Sequence, residues 1–373
     1  LKVGVEAAIR ALDVQAYEIP TDFPEADGTA TWSSTTIIVV EAEAAGRRGV
    51  GYTYADASIV PLIEKKLAKA VMGTDPMNPP AARRAMQVGV RNLGREGLAA
   101  AAISAVDVAL WDLKAVLLGL PLASLLGCYR ETVPIYGSGG FTSYDDRQLA
   151  RQFAGWVERE GCHWVKMKIG SDPDRDPQRV AAAKQAIGSA SLFVDANGAY
   201  VRKQAERLAE RFSSEQDVRW FEEPVSSDDL VGLRQVRDHA PPAMEIAAGE
   251  YGYTLDYFRH MLEAGAVDVQ QADATRCGGV TGFMQASALC EAHHVDLSAH
   301  CAPALHRHLG CAAPRFRHLE WFHDHVRIEQ MLFDGAPEAH DGAIAPDRSR
   351  PGLGLTFKRR DAERFATGGR KGQ

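Results

Sequence analysis

The chain has 373 residues, with 42 Lys and Arg against 49 Asp and Glu. That length supports a large core and two structural units, and the mildly acidic balance without a basic run argues against a nucleic-acid partner. No apolar run is long enough to cross a membrane, residues 1–20 lack a signal-peptide layout, and six cysteines without a CxxC pair read as reduced thiols of a cytoplasmic protein.

Residues 1–55 alternate like antiparallel strands. LDVQAYEI leads into a polar loop, PTDFPEADGTATW, and TTIIVVEAEAAGRRGVGYTY reads as a hairpin returning at Gly46. A long loop with an exposed aromatic at Trp32 is either disordered or a lid. Residues 57–73 read as an amphipathic helix. Asn78 before Pro79 and Pro80 reads as the cap and first turn of a second helix, running to about Asn92. Residues 97–119 form a third helix, apolar on most of its circumference and therefore buried. Asp107 and Asp112 within it read as structural. Residues 1–125 are thus an α+β unit.

From about residue 130 the rhythm changes to short apolar runs alternating with amphipathic stretches. Eight runs are visible: 133–138, 163–170, 192–198, 218–224, 245–250, 267–273, 295–301 and 318–322. Eight such units predict a closed parallel (β/α) barrel over 126–335. No Gly-rich nucleotide fingerprint follows any run. Residues 336–373 contain a short strand that returns to the N-terminal unit, and the last six or so read as disordered.

Polar residues recur at the ends of these runs. They are Lys166 and Lys168, Asp195 and Asn197, Glu222 and Glu223, Glu250, Asp273, His300 and Glu320. Their spacing is close to one βα repeat, so in a barrel they meet at the C-terminal mouth. Lys166 and Lys168 are two apart and share a face of their strand. Each would lower the other's pKa, making one a base; a half-buried strand with two snorkelling lysines is the plainer alternative. Asp195, Glu222 and Glu250 form a hard oxygen set that suits Mg²⁺. Glu223 is expected to point away and pair with a lysine. Asp273 beside His300 would fix its tautomer and raise its basicity. Lys168 and His300 would then flank one carbon, with Glu320, kept protonated by burial, donating to an oxyanion. Ser138, at the end of the first run, could donate to a substrate carboxylate, and Asn197 is a second candidate contact. His306 and His308 fall in a loop after the seventh run, where either could reach substrate.

The pieces VKMKIG, VDANGAY, WFEEPV, AAGE, QADATRCGGVTG, SAH and HLEW, with SAVDVALWDLK and LPLASLLG upstream, resemble the enolase superfamily, mandelate racemase subgroup. The resemblance covers nearly the whole chain. It implies a modified (β/α)₇β TIM-type barrel under an α+β capping domain built from both chain ends. It implies Lys168 and His300 as the acid/base pair, assisted by Lys166 and Asp273, and Glu320 bonding the intermediate. It also implies Mg²⁺ on Asp195, Glu222 and Glu250, a small-molecule carboxylate as partner, and a homo-oligomer. Tyr251-Gly252-Tyr253 after Glu250, CAPALHRH after His300 and the polar lid depart from the pattern for an aromatic hydroxy acid. They favour acid-sugar dehydration, with racemisation or epimerisation, cycloisomerisation and a non-catalytic sugar-acid-binding barrel as the alternatives.

Overall fold

The computed structural model describes residues 8–367. The disorder expected for the last six residues falls outside that range. Three antiparallel strands open the chain: β1 (Ala11–Ala26), β2 (Thr31–Ala44) and β3 (Arg47–Tyr54), in the order β1-β2-β3. The run Ile37–Val40 is buried on both faces. Alternation sends Ile37 and Val39 to the main core, and Ile38, Val40 and Ala42 to a second core. That second core includes Ile59, Ile63 and Leu67, Met86 from the helix Pro79–Gly89, and one side of the helix Leu98–Leu118.

The polar stretch expected as a loop is mostly strand. β1 runs on to Ala26 past a register shift between Pro20 and Glu25, leaving only residues 27–30 as the turn. Its order comes from tertiary contacts, which override weak local propensity. The Thr142 amide donates to Ala26 O at 2.8 Å, and Ser143 Oγ donates to Pro24 O at 2.6 Å. Trp32 Nε1 donates to Glu25 at 2.7 Å, and its ring meets Phe141 edge-on at 5.7 Å. The hairpin tip therefore lies against the barrel mouth.

The barrel comprises β4 (Val133–Gly139), β5 (Trp164–Lys168), β6 (Ser191–Asp195), β7 (Val218–Glu222), β8 (Glu245–Ala248), β9 (Val269–Ala272), β10 (Asp296–Ala299) and β11 (Phe316–Phe322). All neighbours are parallel, and β11 pairs with β4 to close the ring. A helix lies between each successive pair of strands, giving the expected (β/α)₇β order. After β11 come the helix His323–Leu332, then β12 (Phe333–Asp334), β13 (Ala343–Ile344) and β14 (Thr356–Phe357). β13 joins β4 antiparallel, and β14 pairs with β12. The C-terminal segment also touches the N-terminal sheet: the Phe357 and Tyr17 rings lie 5.4 Å apart, and Arg359 pairs with Glu41.

Two buried acids of the helix Leu98–Leu118 tie the units together. Asp107 accepts from the Thr281 amide at 3.0 Å and hydroxyl at 2.7 Å. Asp112 accepts from the amides of Val50 and Leu353. Both are the structural groups the sequence suggests.

The barrel interior is filled below the mouth by Tyr136, Phe193, Trp220, Ala247 and Val269. His318 sits among them, 4.8 Å from the Tyr136 ring and 5.2 Å from Trp220, with Nδ1 bonded to Ser298 Oγ at 2.9 Å. Burial, reinforced by Arg317, pushes its pKa down to about 3. Above pH 6.5 neither folded nor unfolded chain holds this proton. Below it the unfolded chain takes the proton first, so stability falls until the pH reaches the folded value. Chemical denaturation should therefore show a loss of about 2 kcal/mol from this residue between pH 6.5 and 5. His318→Gln should lower stability at pH 7 yet flatten that slope; an unchanged slope would refute the assignment.

The hairpin tip gives a second test. A Cβ on Gly28 would lie 2.5 Å from Ala196 O and 2.6 Å from Ile169 O, both rigid backbone. Gly28→Ala should lift the tip without unfolding the barrel. Amide exchange of residues 24–32 should accelerate while that of β4–β11 stays unchanged.

Candidate active site

The register of the barrel strands sets the site. Lys168 pairs laterally with Asp195, and Asp195 with Glu222. Ala272 and Ala299 are also lateral partners, so Asp273 and His300 each stand one residue past the end of their strands. Ser138 is the lateral partner of Lys166 and of Phe322, two residues beyond Glu320. Glu250 arrives differently. Gly249 has φ +137°, and a Cβ there would meet Gln271 O at 2.1 Å. Only glycine makes this kink, which carries Glu250 to the mouth.

Lys166 is fully buried. Its Nζ lies 2.5 Å from Glu222 Oε1, 2.9 Å from Glu320 Oε1 and 3.5 Å from Asp195 Oδ2. Lys168 Nζ is 2.5 Å from Asp195 Oδ2. Burial alone would lower both lysine pKa values, but the surrounding acids raise them. The mutual depression expected from their spacing is thus overridden, because each ammonium sits closer to carboxylates than the effect of the other lysine can offset.

The acids outnumber the cations they share. Burial and Asp195 push Glu222 up to about 8, over the pull of Lys166. Trp220 Nε1 donates to its other oxygen at 3.0 Å. Asn197, at φ +46°, bridges two of the acids: its amide donates to Asp195 at 2.9 Å and its Nδ2 to Glu250 at 3.1 Å.

Glu223 corrects the sequence reading. It lies beyond the end of β7 at φ +39°, so strand alternation does not apply to it. It is buried, with one carboxylate oxygen unpartnered. Burial, then Glu250, Asp195 and Glu222, raise its pKa. It therefore joins the acid set instead of pairing with a lysine. Buried oxygens of four acids, two of them raised by burial and crowding and one atom orphaned, are a donor set that fits a hard divalent cation.

On the other side, His300 Nδ1 bonds Asp273 at 2.8 Å and Nε2 lies 2.5 Å from Glu250. Burial opposes its charge, but Cys301, Glu250 and Glu320 raise its pKa well above the ordinary value. Asp273 is held well below the usual carboxylate range despite burial, mainly by the bond to His300. It also accepts from Thr275 N and Oγ1, each at 2.7 Å. Arg276, which the sequence reading passed over, lies 3.5 Å from Glu250 and 3.7 Å from Asp273.

Glu320 differs from expectation. Burial favours its neutral form, but Lys166, His300 and Lys168, with the bond from Ser138 Oγ at 2.6 Å, hold it well below the usual range. It is a carboxylate here, not a donor.

His306 and His308 are not in a loop. Pro303 opens a helix, Pro303–Ala312, immediately after the left-handed pair Cys301 and Ala302. Both are fully buried. His306 Nε2 accepts from the Ala274 amide at 2.9 Å, and Nδ1 bonds Cys301 O at 2.8 Å. Neither ring nitrogen is left for a substrate. His306 braces the backbone beside Asp273 and His300.

Residues 10–127 match the family model for the mandelate racemase/muconate lactonizing enzyme N-terminal domain, and residues 148–362 match the enolase C-terminal domain-like model. A mandelate racemase/muconate lactonizing enzyme-like protein from Rubrobacter xylanophilus superposes with TM-score 0.94 at 52% identity, over 96% of this chain and 100% of that one. The 3,6-anhydro-α-L-galactonate cycloisomerase of Streptomyces coelicolor is 32% identical over 93% of this chain and 96% of its own length. An L-talarate dehydratase from Polaromonas sp. JS666, solved with Mg and L-glucarate, matches with TM-score 0.87 at 31% identity, over 96% of this chain and 97% of that one. This chain belongs to the mandelate racemase/muconate lactonizing enzyme family of the enolase superfamily and is an enzyme of its lyase and isomerase class.

Proposed function

We propose that the chain dehydrates an acid sugar, an aldonate or aldarate, to a 2-keto-3-deoxy acid, with Mg²⁺ held by Asp195, Glu222 and Glu250. The observation that carries this reading is the arrangement of Lys168 and His300 in the ring. β5 and β10 are separated by β6 to β9 on one side and by β11 and β4 on the other. The acid set occupies the first of these arcs. Mg²⁺ bound there supplies positive charge against the substrate carboxylate as α-proton loss makes it doubly ionised.

The chain's own residues do the rest. Lys166 Nζ, already aimed between Glu222 and Glu320, adds a second positive charge at the same end of the substrate. Lys168 takes the α-proton once Asp195 no longer claims its Nζ, and an enediolate forms. His300 carries a proton on Nε2, with Nδ1 anchored on Asp273. It delivers that proton to the β-hydroxyl, which leaves as water while the electron pair forms the enol; ketonisation completes the product. The polar hairpin tip and the unpartnered Oδ1 of Asn197 suit a polyhydroxylated substrate. The cycloisomerase relative supports a second reading, in which the same bases open or close a ring and release no water. Racemisation would need Lys168 and His300 to exchange roles.

A panel of aldonates and aldarates, assayed as semicarbazones of the keto acid, tests the first reading. Turnover of a lactone without a keto acid would favour cycloisomerisation, and solvent deuterium at the α-carbon of recovered substrate without dehydration would favour racemisation. Lys168→Ala and His300→Ala should each lower kcat by about 10²–10⁴-fold with an unchanged circular dichroism spectrum. Full activity in both would sink the assignment.

Removing divalent cations with a chelator should abolish turnover, and Mg²⁺ should restore it. Asp195→Asn should weaken Mg²⁺ binding by more than the about tenfold typical of losing a second-shell partner, read by isothermal titration. Unaltered affinity would remove Asp195 from the ligand set.

A further inference from the structure

Beside His300 lies a group that the acid–base reading does not use. Cys301 Sγ is 3.3 Å from His300 Nε2 and 3.3 Å from Glu320 Oε2, and those two atoms are 3.7 Å apart. One nitrogen, one sulfur and one oxygen donor thus form a small triangle, all on buried side chains. Zinc–ligand bonds of about 2.0–2.3 Å at tetrahedral angles place such donors about 3.4–3.6 Å apart. The triangle is within a few tenths of an ångström of that spacing.

The surroundings match as well. His300 Nδ1 is bonded to Asp273, the carboxylate–histidine arrangement that fixes a metal-binding tautomer. Glu320 is held at its other oxygen by Ser138 and Lys166, and the Cys301 amide donates to Oε2 at 3.1 Å. Cys301 has φ +52°, which turns both its amide and its thiol toward Glu320. Phe141, Tyr144 and Phe322 back the thiol with an apolar wall.

We propose that His300, Cys301 and Glu320 form a binding site for a thiophilic divalent cation, Zn²⁺ or its analogue Co²⁺, adjoining the acid set proposed for Mg²⁺ at Glu250, whose Oε2 lies 2.5 Å from His300 Nε2. Binding converts the Cys301 thiol to a thiolate and displaces the proton that His300 Nε2 shares with Glu250, so both protons pass to solvent. The neutral imidazole donates its Nε2 lone pair, and Glu320 Oε2 completes three protein ligands, with the fourth position left to water. Mg²⁺, which demands oxygen ligands, does not compete for a thiolate. Occupancy removes His300 from proton transfer, so the cation inhibits; this consequence alone rests on the proposed role of His300.

The test uses the full chain saturated with Mg²⁺ and titrated with Co²⁺. One Co²⁺ per chain should bind with a thiolate-to-cobalt charge-transfer absorption band, and Zn²⁺ should displace it. Cys301→Ala should lose the band and bind Zn²⁺ at least about tenfold more weakly, while Cys277→Ala keeps both. X-ray absorption of the zinc-loaded unaltered chain needs no variant and should show one sulfur among nitrogen and oxygen neighbours. An all-nitrogen/oxygen shell, or a cobalt band that survives Cys301→Ala, overturns the site. None of these readouts depends on sugar turnover, so failure of the dehydratase reading would leave them intact.

Discussion

The constraint on which the rest of this structure depends is the compensation of buried charge at the barrel mouth. Lys166 has no exposed surface, yet its ammonium reaches carboxylates from β7 and β11 at 2.5 and 2.9 Å. An isolated ammonium at that depth would be prohibitively costly, and removing any one partner leaves an uncompensated charge. The ring has to close for this lysine to meet Glu222 and Glu320 together, because their strands lie on opposite sides of β5. Charge pairing and barrel closure are one requirement. The aromatic floor of Phe193, Trp220 and Tyr136 beneath the lysines keeps water out and makes each of these pairs stronger.

The same network explains why the second acid of the Glu-Glu pair turns inward. A residue continuing β7 would place Glu223 outside the ring. The left-handed backbone at φ +39° rotates it among Glu250, Asp195 and Glu222, where its negative form is unfavourable. Crowding like charges without a matching cation is a cost that folding tolerates only where something else gains, and the divalent ion proposed for the mouth would supply that gain. Asn197, also left-handed, does the complementary work of tethering Asp195 to Glu250 through its two N–H groups.

Much of this was legible because a barrel strand reports itself twice, once as an apolar run and once as a polar residue at its end. The repeat fixed which of Lys168, Asp195, Glu222, Glu250, Asp273 and His300 would be neighbours. It could not report side chains set by backbone outside the strands. Glu223 depends on one positive φ. His306 depends on Pro303 starting a helix two residues after Cys301, which turns an apparent loop histidine into a brace for the Ala274 amide. Only the stretch 20–32 between β1 and β2 reads as a loop, because it is polar and lacks strand alternation. Its order comes from Thr142, Ser143 and Phe141, more than a hundred residues away, and no local pattern carries that information. The lysine pKa values failed for a similar reason: spacing within one strand shows the neighbouring lysine but not the carboxylates across the ring.

The two groups proposed to move protons, Lys168 and His300, are not equivalent, and this asymmetry bears on the proposed chemistry. Lys168 has one close partner, Asp195, which is also a candidate cation ligand, so whatever draws Asp195 away frees the amine. His300 is fixed at both nitrogens by Asp273 and Glu250, with Glu320 3.7 Å away, and against burial Cys301, Glu250 and Glu320 favour its protonated form. A racemase asks two groups to give and take a proton in turn, which is easiest when their affinities are matched. A dehydratase asks one group to take a proton and the other to give one. An amine released by its acid on one side, facing an imidazolium held among acids on the other, matches the second task, which supports the proposed dehydration over racemisation.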